Sequence, residues 1–157
     1  LFRSVQLFEK FHIFTRAELE SREEIIYETY AKSINIEALT MIDMASKQII
    51  PAVVKYSQKL AKTVLDVKAA GVEPVVQSEL LAKVNSKLTE MKEALSVLEK
   101  EEAAASAMED VKAQSFRYKD VVIPAMDALR APADELEMMV DKADWPFPTY
   151  GDLMFEV

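Results

Sequence analysis

The sequence has 157 residues but no cysteine, only two glycines and a single histidine. Ser-His-Asp and Cys-His catalysis would both depend on His12, and a ferritin-like di-iron centre needs two Glu-x-x-His pairs. Two separated glycines cannot form a loop that cradles phosphates. His12 itself lies among aromatic residues, which favours a packed or helix-capping histidine. We therefore predict no catalytic residue, no metal ligand and no cofactor-binding residue in this chain.

Basic charge is also scarce, because 19 lysines and arginines stand against 27 aspartates and glutamates, a net charge of −8. Phosphate backbones are bound by clustered basic side chains, so we do not expect a nucleic-acid partner. No apolar run approaches the roughly 20 residues that cross a membrane, and no charged-then-apolar signal opens the chain. Together with the lack of cysteine, these features favour a cytoplasmic protein with no membrane partner.

Apolar residues recur in steps of three, four or seven over residues 15–70, which predicts one long helix. Thr15 is a suitable N-cap, and Glu18 three residues later completes a capping box. Gly71 is a natural stop for this helix. Pro51 lies inside it and has no N–H to donate to the preceding turn, so we expect a kink there.

The rest of the pattern is also helical, and the predicted fold class is all-α: an elongated helical bundle built on one long kinked helix, with an extended aromatic and proline-rich C-terminal tail. Pro74 and Pro132 suit the first turns of new helices. We expect a single helical domain, 1–157, made of a short helix and break (1–14), the long helix (15–70), a second helix (74–100), a third helix (103–130), a short helix (132–141) and a docked tail (145–157).

The first half of the long helix has an apolar face that is too wide for an ordinary surface helix. By length, the second and third helices can cover only the second half, from Met44 to Ala70. A large uncovered apolar face marks an interface. The predicted interface residues on this face are Ile25, Ile26, Tyr30, Ile34, Ile36, Leu39, Met41, Ile42 and Met44.

Two carboxylates, Glu37 and Asp43, lie within the same apolar stretch. Because buried acids are usually paired, we expect each of them to form a salt bridge or cap with a neighbouring domain rather than to take part in catalysis.

The tail from Trp145 to Val157 holds the only tryptophan and two of the six prolines. Pro146 and Pro148 favour extended backbone, and disordered segments are poor in the aromatic residues that this tail contains. We therefore expect it to dock within this chain, in a groove that another domain or subunit can complete. The tail residues predicted to make the contact are Trp145, Phe147, Tyr150 and Phe155.

Three separated runs resemble type III glutamine synthetase, in the same order. The first is FTRAELESR (Phe14–Arg22), and the second is NIEALTMIDMA (Asn35–Ala45) with IPAV (Ile50–Val53) after it. The third is LRAPADELE (Leu129–Glu137), followed by VDK (Val140–Lys142) and the tail. This last run resembles the extreme C-terminus of that family. The runs cover about half of the chain, and residues 61–115 match only in their helical character.

The resemblance implies a C-terminal piece of a longer enzyme, and the Leu at position 1 fits that expectation. The family joins glutamate and ammonia, using ATP and Mg or Mn, and assembles as two stacked hexameric rings. Its metal-binding and nucleotide-binding residues belong to an upstream catalytic domain, and no position here matches them. The implied partners are that domain and neighbouring subunits, and the implied role is to support fold and assembly without catalysis.

A second interpretation comes from the residues alone. A free-standing helical-bundle interaction module could bind an amphipathic partner helix along Ile25–Met44. The two interpretations differ in what precedes residue 1, a β-rich catalytic domain in the first and a start codon in the second.

Overall fold

The structure is a computed structural model that describes residues 2–148 and 150–155, apart from the side chains of residues 2–4 and 150. The regular elements in this part of the chain are all helical, so the all-α prediction is confirmed. They are α1 (Phe2–Lys10), α2 (Arg16–Met44), α3 (Ile50–Ala69), α4 (Val75–Ser106), α5 (Val111–Arg117), α6 (Ile123–Met139) and α7 (Tyr150–Phe155), with five-residue π-helices at Ala45–Ile49 and Tyr118–Val122.

Three helical columns make up the bundle. The first is α2, the first π-helix and α3; the second is α4; the third is α5, the second π-helix and α6. At one end Asn35 of the first column hydrogen-bonds to Glu102 of α4 and to Tyr118 of the third. Towards the other end Lys87 of α4 pairs with Glu135 of α6. The first and third columns therefore run parallel, and α4 runs antiparallel to both.

The core lies where the three columns meet. Each column contributes buried residues at helical spacing, as the apolar periodicity predicts. They are Ala31, Ala38, Ala45, Ile49 and Val53 from the first column, Val84, Met91, Leu95, Leu98 and Ala105 from α4, and Tyr118, Val122, Ala125, Leu129 and Leu136 from the third.

The turn between α1 and α2 has two predicted features, a capping box at the start of α2 and a helix-capping histidine at the end of α1. The Glu18 N–H donates to Thr15 Oγ1 at 3.3 Å and the Thr15 N–H donates to Glu18 Oε2 at 2.7 Å, which is the predicted capping box. His12 is exposed rather than packed. It ends α1 through its backbone, with φ at 51°, the left-handed conformation that closes a helix C-terminus.

Two of the prolines within the helical columns, Pro51 and Pro124, each follow a π-helix. Pro51 comes two residues after Ala45–Ile49, and Pro124 comes two residues after Tyr118–Val122. The N–H before each proline reaches five residues back, from Ile50 to Ala45 and from Ile123 to Tyr118. A wider turn at this point accommodates a residue that has no N–H and whose ring crowds the preceding turn. The kink expected at Pro51 therefore corresponds to a π-helix.

The helix boundaries after residue 74 differ from the predicted ones. α4 continues to Ser106 rather than 100, and the third column begins at Val111 rather than 103, capped by the Asp110 carboxylate on the Ala113 N–H at 2.7 Å. A break at Pro132 was also predicted, and this is wrong. α6 runs through the buried Pro132 to Met139, because the core contacts of Leu129 and Leu136 hold one continuous helix across it.

The end of α3 depends on Gly71. Its φ is 83°, and its N–H donates to the Lys68 carbonyl while the Val72 N–H donates to the Val67 carbonyl. These two bonds form a Schellman motif, in which the residue after the C-cap must be left-handed.

Gly71→Ala is expected to lower the free energy of unfolding by about 1 kcal/mol, the usual cost of a left-handed L-residue. A Cβ built on Gly71 has nothing within 4 Å, so the loss is conformational and not steric. Chemical denaturation of the chain would measure it. Gly151→Ala changes an exposed glycine within α7 and serves as the control. It should not lower the free energy of unfolding. Equal stability of wild type and Gly71→Ala would contradict this account of the helix end.

Candidate interface

The predicted interface residues of α2 divide into two sets. Five are exposed: Ile25, Ile26, Tyr30, Ile36 and Leu39. Ile26 and Ile36 are the most open of them, at 67% and 65% exposed. We call these five residues the α2 stripe. Single exposed apolar residues are common on protein surfaces, but five on one helix form the kind of patch that marks a contact.

The other predicted residues of this face belong to the bundle itself. Ile34, Met41 and Ile42 are partly buried and pack against the core, and Met44 is also partly buried. The face was predicted to be uncovered as far as Met44, and that is wrong for these four. Because α4 reaches Ser106 and α5 packs on α2, both helices extend further over the first half of the long helix than their predicted lengths allow.

A polar and aromatic cluster joins α5 to α2. Lys112 pairs with Glu23 at 3.2 Å and lies 5.3 Å from the centre of the Tyr27 ring. Tyr27 also contacts Phe116, with 6.1 Å between the ring centres. The hydrogen bond from Lys112 and a second one from Tyr27 hold the pKa of Glu23 below its ordinary value. The periodicity of the sequence did not predict this cluster, since its members are charged or half-exposed.

Asn35 connects all three columns. Its Nδ2 donates to Glu102 Oε1 at 2.7 Å and to the Tyr118 hydroxyl at 2.8 Å. Glu102 is 9% exposed and Tyr118 is 1% exposed, so both acceptors are largely cut off from water. Burial raises the pKa of Tyr118, which keeps its hydroxyl protonated. Asn35 thus satisfies two buried oxygens at once, a role that sequence analysis missed.

The start of the tail packs on the bundle. Trp145 is buried in the core and Phe147 packs against it. The backbone leading to them is held by Asp141, whose carbonyl accepts from the N–H groups of Asp144 and Trp145 at 2.8 and 3.1 Å.

Asp144 fixes this segment to α3. Its side chain is 2% exposed, and Lys59 donates to both of its carboxylate oxygens at 2.7 and 2.6 Å, with Lys55 at 3.6 Å. The hydrogen bond from Lys59 holds the pKa of Asp144 below its usual value. The carboxylate is therefore more stable in the folded chain than in the unfolded one.

Asp144→Asn is expected to lower the melting temperature at pH 7. A depressed pKa stabilises the fold above the unfolded-state value of about 3.9, and this contribution disappears as pH falls through the folded-state value. The difference in melting temperature between wild type and variant should therefore disappear below about pH 4. Thermal melts from pH 7 to pH 3 would show it, with the exposed Asp120→Asn as the control. A gap that stays constant across this range would contradict the assigned role of the carboxylate.

The end of the tail does not dock. Residues 150–155 form the short helix α7, linked to the preceding segment by an ion pair between Lys142 and Asp152. Leu153, Met154 and Phe155 are 70% to 79% exposed. The extended, fully docked tail is therefore wrong for these residues, because they form a helical turn whose side chains stay mostly exposed, although Leu153 lines a pocket beside Trp145 and Phe147. The side chain of Tyr150, and the residues 149, 156 and 157, lie outside the described part of the chain.

Glu37 and Asp43 differ in their surroundings. Asp43 pairs with Lys47 one turn later, because the i to i+4 spacing brings the two side chains together. Glu37 is exposed and lines a pocket between α2 and α6. Within the described ranges, no cluster of three His, Cys, Asp or Glu could hold a metal ion. Nor is any helix there both long and apolar enough to traverse a bilayer.

The chain is similar to proteins of one family. A family model described as "Glutamine synthetase C-terminal domain" matches residues 2–68. The chain is 34% identical over 156 residues to a glutamine synthetase of Butyrivibrio fibrisolvens and 30% identical over 164 residues to a "Type-3 glutamine synthetase" of Dictyostelium discoideum. Both matches cover 98% of this chain, which spans only 22% of each relative. A glutamine synthetase of Bacteroides fragilis is 28% identical over 91% of the chain and 20% of its own length.

Proposed function

Because this chain belongs to the family of glutamine synthetase C-terminal domains, we propose that it serves a type III glutamine synthetase as the helical domain that supports its fold and oligomer assembly. The parent enzyme would make glutamine from glutamate, ammonia and ATP in the cytoplasm. One observation carries the proposal: the chain aligns along 98% of its length with a glutamine synthetase at 34% identity.

We place the chemistry of the parent outside this chain. In our proposal ATP and Mg or Mn bind to an upstream catalytic domain, and the helical domain contacts that domain and neighbouring subunits. The resemblance supports this division, since none of the runs that resemble the family carries its metal ligands or nucleotide contacts.

The α2 stripe is our candidate for the contact with other parts of the parent. Its five exposed side chains would gain about 1.5–3 kcal/mol each on full burial, before the cost of association is subtracted. This is enough for a specific contact when combined with other surfaces, such as the exposed side chains of α7.

The isolated chain is expected to make no glutamine. Incubation with glutamate, ammonia, ATP and Mg²⁺ should give no more glutamine than buffer alone, whereas the full-length parent provides the positive control. Chromatographic measurement of glutamine checks this directly. Glutamine formation that purifies together with the 157-residue chain would move the active site into this domain and overturn the proposed division.

A further inference from the structure

Two adjoining pockets follow the seam between α2 and α6. The first has a volume of about 500 Å³ and apolar walls formed by Ile36, Met41, Ile123 and Met126. The second has a volume of about 270 Å³ and is walled by Met44, Ile49, Leu129, Trp145 and Phe147. Met41 and Arg130 line both pockets, so the two are consecutive sections of one groove. We call it the seam groove.

The groove has the dimensions of a helix-binding site. On the first column it runs from Ile36 of α2 to Ile49 of the π-helix, and on α6 it runs from Ile123 to Glu137. At about 1.5 Å per residue, each wall is about 20 Å long. The two walls run in the same direction, and the floor between them is apolar. An amphipathic helix of about 14 residues has this length and lays its apolar face into such a groove.

Charge at the rim decides between possible occupants. Four carboxylates line the groove: Glu37, Asp127, Asp134 and Glu137. Among the described lining residues Arg130 is the only base, and it pairs with Asp134 at 3.3 Å. Four acids and one base leave a rim charge of −3. A second copy of this chain would bring a further net charge of −8 towards it. Complementarity therefore favours a basic occupant.

We propose that the seam groove receives an amphipathic helix, from a part of the parent enzyme outside this chain, whose apolar stripe is flanked by lysine or arginine. The inference rests on the proposed function, in which this domain docks to other parts of a glutamine synthetase, and it adds where the docking occurs and which chemistry it recognises. Met41 and Met44 suit this role, since methionine adapts its shape to an incoming apolar side chain.

Designed peptides test the proposal on the chain as it stands. The probe is a 14-residue helical peptide of Leu, Ala and Lys, with Leu on one face; one counterpart has Glu in place of every Lys, and another has Ser in place of every Leu. The Lys–Leu peptide should bind at least about ten-fold more tightly than either counterpart. Trp145 is the only tryptophan and lies in the groove wall, so its fluorescence should shift on binding.

Charge reversal at the rim provides the matched variants. Glu37→Lys with Asp127→Lys changes two exposed residues of the groove and should weaken the Lys–Leu peptide by about ten-fold. Asp66→Lys with Glu79→Lys makes the same charge change at exposed positions outside the groove and should leave binding unchanged. All four substitutions are on the surface, so each variant should keep the wild-type helical content.

The proposal is overturned if the Lys–Leu peptide does not bind, if the Glu counterpart binds equally well, or if both double variants weaken binding to the same extent. Concentration-dependent dimerisation that Glu37→Lys with Asp127→Lys abolishes would assign the groove to a second copy instead. The α2 stripe residues Ile25 and Ile26 lie outside the groove. If changing them disrupts the parent while the peptides fail, the proposed function stands and only the groove assignment falls.

Discussion

Aspartate at both Ile25 and Ile26 is expected to break the parent enzyme into smaller species while leaving this domain folded. Each isoleucine would lose about 1.5–3 kcal/mol of burial in the assembled enzyme, about 3–6 kcal/mol for the pair. At 1.4 kcal/mol per factor of ten, this weakens association by roughly 10²- to 10⁴-fold. Both side chains are more than half exposed in the isolated domain, so its own stability should change little.

Analytical ultracentrifugation of the full-length parent measures this effect, and thermal melting of the 157-residue chain confirms that the variant folds. Leu65→Asp with Val76→Asp is the matched control, since these side chains are 68% and 72% exposed but lie outside the α2 stripe. If both double variants sediment as wild type does, or if the control dissociates equally, the stripe is not the assembly contact.

Asn35→Leu is expected to lower the free energy of unfolding by about 2–4 kcal/mol, the largest loss among the stability changes considered. Leucine has the same branching at Cγ as asparagine but donates no hydrogen bond. The carboxylate of Glu102 and the hydroxyl of Tyr118 would then be left in the bundle without their shared donor, at a point where all three columns meet.

Chemical denaturation would measure the loss, and Tyr118→Phe isolates one of the two bonds. Removing the hydroxyl deletes a single acceptor, while Asn35 keeps its hydrogen bond to Glu102. The free energy of unfolding of this variant should therefore fall by only about 1 kcal/mol. The double variant Asn35→Leu with Tyr118→Phe should lose less than the sum of the two single changes, because the hydroxyl no longer needs a donor. Strict additivity would mean that the Asn35–Tyr118 bond contributes nothing.

Features set by local chemistry could be predicted from the sequence. The capping box at Thr15 and Glu18 and the helix stop at Gly71 depend on residues within a few positions of each other, and the structure has both. Apolar periodicity likewise predicted the all-α class and much of the core. These predictions agree with the structure because the tertiary packing favours the same conformations as the local sequence.

Features set by packing were missed. Pro132 reads as a helix start, yet the buried neighbours Leu129 and Leu136 keep α6 continuous through it. A kink was expected at Pro51, but this proline, like Pro124, follows a π-helix that sequence periodicity does not resolve. In each case tertiary contacts outweigh a local preference worth a few kcal/mol.

The candidate interface was only partly predictable for the same reason. Helical spacing correctly placed Ile25, Ile26 and Ile36 on the surface, because their face of α2 has no partner in the bundle. It could not show that α5 returns to α2, since Lys112 and Glu23 meet across 89 residues of sequence. The groove between α2 and α6 also depends on two columns lying parallel, which no local pattern specifies.

In our proposal this helical domain holds the parent enzyme together rather than performing its chemistry. The most direct measurement is the mass of the full-length parent, by light scattering, with and without the segment that corresponds to residues 1–157. The account predicts one defined oligomer for the full-length enzyme and smaller or aggregated species for the truncated one. A truncated enzyme with the same mass and the same glutamine synthesis per subunit would contradict it.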